Sequence, residues 1–238
     1  MSPERRREFF ALLAAADPAP TTELAYASPF ELLVAVILSA QATDRSVNLA
    51  TERLFKVAST PAALRALGVR GLKPFISSIG LYNSKARHII GTCRALIEKH
   101  GGAVPRERAA LEALPGVGRK TANIILNTVF GEATIAVDTH IFRVANRTGL
   151  ARAKNVRAVE DALLRAVPPE YLRHAHHWLI LLGRYTCKAR RPECWRCVVR
   201  GPCGYRPKTS APAAGAAGPA APAARGRDPR RATSRASG

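Results

Sequence analysis

Leu111–Arg143, LEALPGVGRKTANIILNTVFGEATIAVDTHIFR, is the stretch on which the fold turns. A short helical run, Glu107–Leu114, leads into Pro-Gly-Val-Gly at Pro115–Gly118, and a stronger run, Arg119–Phe130, is closed by Gly131. Gly116 and Gly118 let the backbone turn tightly and bring its N–H groups close to another surface. The helix that follows adds its unpaired first-turn N–H groups and the positive end of its dipole. The hairpin is therefore an anion site, with phosphate the natural occupant.

Lys120 lies in the first turn of that helix, where the dipole disfavours a positive charge by roughly 0.3–1 kcal/mol. An amine that sheds its proton is a nucleophile for a carbonyl or acetal carbon, and burial would favour the neutral form further. Arg119 cannot act in this way, because guanidinium keeps its proton. A phosphate contact is the plainer role for Lys120. Asp138 shifts the balance. A helix of 12 residues is about 18 Å long, and eight extended residues span up to about 28 Å. Gly131–Asp138 can thus run back along the helix and return Asp138 to the vicinity of Lys120. Asp138 also reads as the N-cap of a helix over Thr139–Arg147, and capping alone would account for it.

The segments LPGVGRKTAN and VDTH resemble the helix-hairpin-helix glycosylase family of DNA base-excision repair, closest to its endonuclease III branch. The resemblance covers nearly all of the chain up to Tyr205. It implies an all-α, two-lobed fold with a DNA-facing cleft between the lobes. One lobe would span Thr22–Gly131 and carry the hairpin. The other would join Met1–Thr21 to Glu132–Tyr205. It further implies a glycosylase that is also an abasic-site lyase, acting on oxidised pyrimidines, with Lys120 as nucleophile and Asp138 as its carboxylate partner. Relatives that act on ultraviolet pyrimidine dimers share this machinery. Relatives that remove adenine typically lack the lysine and carry a further C-terminal domain. A non-catalytic DNA-gripping module and an iron–sulfur electron carrier are the alternatives from other classes.

Composition agrees with a polyanionic partner. Lys and Arg number 37 against 17 Asp and Glu, a net charge of +20, which favours nucleic acid first and an anionic membrane second. The chain of 238 residues is 47% hydrophobic, enough for one or two cores, and only 6% aromatic, too few for broad single-strand stacking platforms. Its longest apolar run, Leu32–Ala40, is well short of the roughly 20 residues a spanning helix needs. Arg5–Arg7 followed by FFALLAAA mimics a secretory signal, but Glu4 and Glu8 flank the arginines, so an amphipathic helix is the better reading. A cytoplasmic, nucleoid-associated monomer is expected.

Helical patterns recur over Glu4–Ala16, Phe30–Gln41 (Ser28 capping, Pro29 leading), Ser46–Val57, Thr60–Leu67, Gly71–Ile79, Asn83–His100, Glu107–Phe130, Asp138–Thr148, Asn155–Ala166 and His174–Gly183. No stretch alternates like a strand, so the fold class is all-α. From Arg206 to Gly238 the composition turns to Ala, Pro, Gly and scattered Arg, the signature of a disordered basic tail.

Four of the five cysteines fall at Cys187-x6-Cys194-x2-Cys197-x5-Cys203, and Cys93 stands alone as a core thiol. Thiolates this close can converge on one metal centre. Zinc usually shows two short knuckles, and here only Cys194–Cys197 is one, so an iron–sulfur cluster is the better fit to the spacing. The resemblance implies a 4Fe-4S cluster on these four residues, with Arg190 and Arg191 among the basic residues its loops hold against the DNA backbone, and Trp195 packed beside it. Gly116, Gly118 and Arg119 would contact the backbone from the hairpin.

A base inside a duplex must leave the stack before its glycosidic bond can be reached, and something must fill the gap. By resemblance, SAQATD and IGLYNSKA supply the fillers. Gln41 would enter the vacated space, Leu81 would wedge the opposite strand, and Asp44 and His140 would line the pocket. Taken without the resemblance, Leu81 reads as a core or turn leucine and His140 as a structural histidine. Tyr82 and Lys85 read equally well as surface positions.

Overall fold

Ser28 and Asp138 show how short polar residues set the helix boundaries. Each accepts a backbone N–H three residues on, from Glu31 at 3.1 Å and Ile141 at 2.8 Å, and so caps a helix start. The computed structural model describes residues 1–212, and among them the regular structure is entirely helical. The helices are α1 (Pro3–Ala16), α2 (Pro29–Ser39), α3 (Asp44–Phe55), α4 (Pro61–Ile76), α5 (Tyr82–His100), α6 (Arg108–Glu112), α7 (Arg119–Phe130), α8 (Thr139–Thr148), α9 (Val156–Ala166) and α10 (Leu172–Tyr185). Short 3-10 turns lie at Pro169–Tyr171 and Cys194–Arg196. Most of the tail expected from Arg206, residues 213–238, lies outside the described residues.

Several boundaries differ from the sequence reading for identifiable reasons. Helix α2 stops at Ser39 rather than Gln41, because the backbone leaves the helix at Ala40, with ψ 115°, and turns left-handed at Gln41, with φ +56°. Helix α3 starts two residues early, at Asp44, since Thr43 caps it through the Ser46 N–H. The runs Thr60–Leu67 and Gly71–Ile79 join as the single element α4, bent where Gly68 is non-helical.

The apolar residues gather into two cores. The first is built from α2 to α7 around α2, whose residues Leu32, Leu33, Val34, Ala35 and Leu38 are fully buried, with α3, α5 and α7 packed against it. Cys93 sits inside this core, and burial pushes its thiol up to about 12, so it stays protonated. The second core joins α1 to the later helices: Phe9, Phe10 and Leu13 pack with Ile135, Val144, Leu163 and Leu179. Phe10 stacks on Tyr171 at 6.0 Å, and Trp178 donates its indole N–H to the Asp17 carbonyl at 2.8 Å. At Gly183 the helices α8 and α10 touch so closely that a Cβ there would stand 2.8 Å from that of His140.

Between α7 and α8 the chain doubles back as an extended strap with Thr134–Val137 buried. Two buried asparagines of α7 hold it. Thr134 Oγ1 donates to the Asn123 carbonyl at 2.6 Å, and Asn123 Nδ2 donates to the Ile135 carbonyl at 3.3 Å. Asn127 Nδ2 donates to both the Glu132 and the Arg173 carbonyls, at 2.9 and 3.0 Å, and so ties the strap and α10 to α7. Asn127→Leu takes the donor from two partly buried carbonyls, where a fully buried unpaired group would cost roughly 1–3 kcal/mol and a solvated one less. The expected outcome is a loss of about 1–3 kcal/mol in denaturant unfolding, beyond that of a surface substitution.

Candidate active site

Helices α7 and α8 start beside each other because the strap returns the chain along α7. Their N-termini open on a cavity of about 730 Å³ whose lining includes Lys120 and Asp138 together. Asp44 and His140 line it too. Lys120 is exposed at the rim, so the free protein does not supply the burial that the sequence reading looked to for a neutral amine. Asp138 is half-buried, and its Oδ1 is engaged by the Ile141 N–H, which fixes the carboxylate at the head of α8.

The hairpin divides its two glycines between different jobs. Gly116 is left-handed with φ +78°, and a side chain there would run into His88 at 2.8 Å. Gly118 is extended and is the N-cap of α7, with nothing within 4 Å of where a Cβ would stand. No side chain caps α7 among the described residues, which leaves its first-turn N–H groups without a capping partner. Arg119 departs from the expectation of an available cation. Its guanidinium is held by the buried Glu160 of α9, at 2.6 Å from Nη2 and 3.1 Å from Nε, a pair that joins the first core to the second.

The same cavity is bordered by groups the sequence reading passed over. Arg184 of α10 bridges Glu23 and Asp44 with its Nη1 at 2.5 Å from each, and the Tyr185 hydroxyl donates to Glu23. These partners lie 161 and 140 positions apart in the chain, so no local pattern could have joined them. Asp44 therefore reaches the cavity already paired. His176 and His177 also line it, and both are buried. Their tandem placement in α10 was the one available signal. His140 sits against Arg143, whose Nη2 is 3.3 Å from its Nδ1.

Gln41 and Leu81 stand apart from the cavity lining, on neighbouring loops of the first core. Both are exposed, Leu81 by 60%. They are also the two non-glycine residues with positive φ among the described residues, at +56° and +60°. Lys85, read as a surface position, is instead buried with 4% exposure.

The four clustered cysteines carry no disulfide and border one small hollow together with Arg147 and Tyr205. Among the described residues, no three Cys, His, Asp or Glu side chains stand close enough to hold a single metal ion. The sulfurs are fed by donors: Arg147 Nη1 approaches Cys187 Sγ at 3.6 Å, and the Tyr205 N–H approaches Cys203 Sγ at 3.5 Å. Burial pushes the Cys197 thiol up to about 11 and raises that of Cys203, so these sulfurs need a cationic group to ionise. An all-sulfur set around a hollow, with N–H donors directed at it, fits a metal–sulfur centre. Arg143 and Arg147 of α8 bind the carbonyls of Cys187, Lys188 and Ala189, which anchors the first cysteine loop. Lys188 and Arg196 both pair with Glu193, whereas Arg190 and Arg191 are exposed and make no ion pair among the described residues. Trp195 is 41% exposed and carries the Arg196 guanidinium over its ring.

With this geometry in view, the comparisons with known proteins become specific. The profile of the HhH-GPD superfamily of base excision DNA repair proteins matches residues 34–169. Endonuclease III of Escherichia coli (strain K12) is 61% identical over 208 residues, covering 87% of this chain and 99% of that protein. Endonuclease III of Haemophilus influenzae is 61% identical with the same coverage. The solved structure of a trapped endonuclease III–DNA covalent intermediate, an estranged-adenine complex, superposes with a TM-score of 0.79 at 44% identity, over 86% of this chain and 97% of that one. The chain belongs to the HhH-GPD superfamily of base excision DNA repair proteins and, within it, to the endonuclease III family.

The buried histidines make a pH prediction. Burial, then the charge of the other histidine, holds His176 down to about 3; burial, then His174, holds His177 down to about 4. In the unfolded chain both titrate near 6.5, so the unfolded state binds more protons from about 6.5 down to about 4 for His177 and to about 3 for His176. Their contribution to stability is present above that window and is lost as pH falls through it. The unfolding midpoint should drop between pH 6.5 and 4, and His177→Gln should flatten the slope. An unchanged slope in that variant would place the acid sensitivity elsewhere.

Proposed function

We propose that this protein is a bifunctional DNA N-glycosylase and abasic-site lyase that removes oxidised pyrimidines, with Lys120 as nucleophile and Asp138 as its carboxylate. The observation that carries the reading is the shared cavity: Lys120 at the rim and a capped, fixed Asp138 open on the same 730 Å³ space. That volume suits a flipped-out nucleoside and falls in the range of small-molecule sites. The exposure of Lys120 means that a bound duplex, rather than the free protein, must exclude water from the amine.

In the reaction, neutral Lys120 Nζ forms a bond to C1′ of the damaged nucleotide as the C1′–base bond breaks, and the base leaves with a proton. Asp138 stabilises the positive charge developing on the sugar and relays the proton. The C1′–O4′ bond then breaks, its electron pair leaving on O4′, which takes a proton, and the open-chain iminium so formed acidifies the C2′ proton. Its removal breaks the C3′–O bond, and water then hydrolyses the iminium to free Lys120.

Partner and location follow from the same reading. Double-stranded DNA would be gripped through phosphate by Gly116, Gly118 and the uncapped N-terminus of α7, with Arg190 and Arg191 adding contacts from the cysteine loop. Arg119 would serve by bracing α7 against α9 rather than as a free cation. Gln41 would fill the vacated space and Leu81 would wedge the opposite strand, while Asp44 and His140 line the pocket. The lobes would be 22–131 and 1–21 with 132–205, and the protein would act as a cytoplasmic monomer. No helix among the described residues is long and apolar enough to cross a membrane. Cys187, Cys194, Cys197 and Cys203 would hold a 4Fe-4S cluster, which supplies the iron that binds the thiolates and fixes their loops.

Borohydride trapping on duplexes holding thymine glycol, a cyclobutane dimer, an abasic site or an adenine mispair tests this reading. Thymine glycol and the abasic site should give covalent adducts, and Lys120→Gln should abolish them while DNA affinity stays near that of the parent. A trapped adduct in that variant would name another amine. Asp138→Asn keeps the helix cap but removes the charge, and should slow excision by about 10²–10³-fold with little change in melting. The purified protein should absorb in the visible, and Cys197→Ala should lose that band. A colourless parent protein would rule out the cluster.

A further inference from the structure

We propose that Lys85 is a positioning residue for base extrusion, a buried strut that fixes the distance between Gln41 and Leu81. The inference rests on the reading of those two residues as the ones that enter the duplex. Lys85 lies in the first turn of α5, and its Nζ donates to the Leu38 carbonyl at 2.8 Å and to the Ala40 carbonyl at 2.6 Å. These are carbonyls at the C-terminal end of α2, the last of them directly before Gln41. The backbone N–H of the same Lys85 donates to the Leu81 carbonyl at 3.1 Å. One residue therefore touches both loops, at the residue preceding Gln41 on one side and at Leu81 itself on the other.

The chemistry of the contact is unusual enough to call for a reason. Lys85 is buried, no carboxylate pairs with it among the described residues, and burial lowers its ammonium below the usual lysine range. The charge is met only by carbonyl oxygens at the negative end of the α2 dipole. A simpler helix end would be capped by glycine or water. What the arrangement gains is rigidity at two strained positions. Gln41 and Leu81 hold left-handed conformations that residues with side chains rarely adopt. Ser84 reinforces the second, donating both its N–H and its Oγ to the Leu81 carbonyl. The two loops approach closely, since a Cβ on Gly80 would lie 3.9 Å from the Gln41 carbonyl oxygen. Two side chains that must enter one duplex together are thus set on a fixed gauge, and Lys85 stays outside the Lys120 cavity.

The test compares one oxidised pyrimidine, thymine glycol, in two settings: paired with adenine in a full duplex, and unpaired in a small bubble where the base is already unstacked. Lys85→Met keeps the length and removes the donors. It should lower kcat/KM on the paired lesion by about 10–100-fold and leave the bubble substrate within about threefold, because misplacement of the inserting side chains matters only where the base must be extruded. Lys85→Gln keeps a donor, should fall between the two, and serves if the methionine variant does not fold. Equal losses on both substrates would reduce Lys85 to a general stability element and overturn the proposal, as would no loss on either. Gln41→Ala and Leu81→Ala are run alongside. If neither separates paired from bubble DNA, the insertion reading itself fails. If they do and Lys85→Met does not, only the strut is lost.

Discussion

Two buried asparagines on α7 carry a constraint on which the chemistry depends. Asn123 and Asn127 bind the returning strap along its length, and the Asn127 amide reaches α10 as well. A helix and an extended strap have different rises per residue, so their ends meet only if the strap is held in register. Paired with backbone carbonyls in a dry interior, the amides supply that register through directional bonds that an apolar contact would lack. The positive ends of two helices then face one space. An amine at the first and a carboxylate at the second are opposite answers to the same dipole.

Around that pair the electrostatics are sorted by depth. The half-buried pairs, Arg119 with Glu160 and Arg184 with Glu23 and Asp44, cross between regions remote in sequence and tie the two cores together. The outer cations, Arg190 and Arg191, are left to solvent on the cysteine loop. Such a division gives a net-positive surface, and the two buried charges without an ion pair among the described residues are met by backbone groups: Lys85 by carbonyls at the end of α2, Glu31 by the Ala27 N–H.

Much of this could be read along the chain and some could not. The hairpin, the Ser28 and Asp138 caps, the Gly131 stop and the cysteine spacing are local signals, each set by steric or hydrogen-bonding needs within a few residues. Element lengths allow Asp138 to return toward Lys120, while the register that brings both to one cavity is set by Asn123 and Asn127. Arg119, Asp44 and Lys85 were harder, because their partners lie far off in sequence: Glu160, Arg184 and the α2 carbonyls are chosen by packing. A long cation with no local clue reads as exposed by default, and for Lys85 that default failed. The early end of α2 escaped notice too, since nothing in the glutamine side chain announces a left-handed backbone.

The packing of α1 on the later helices has a consequence for how the molecule is made. The first core is contiguous from α2 to α7 and can close as soon as α7 has left the ribosome. Phe9, Phe10 and Leu13 are synthesised earlier, yet their partners begin only at Ile135. At about 5–20 residues per second, that interval of roughly 120 residues leaves an apolar helix waiting on the order of 6–24 s with nothing of its own to cover it. Closure of the second core therefore waits on the later helices, and until they emerge the Phe9, Phe10 and Leu13 face of α1 stays wet.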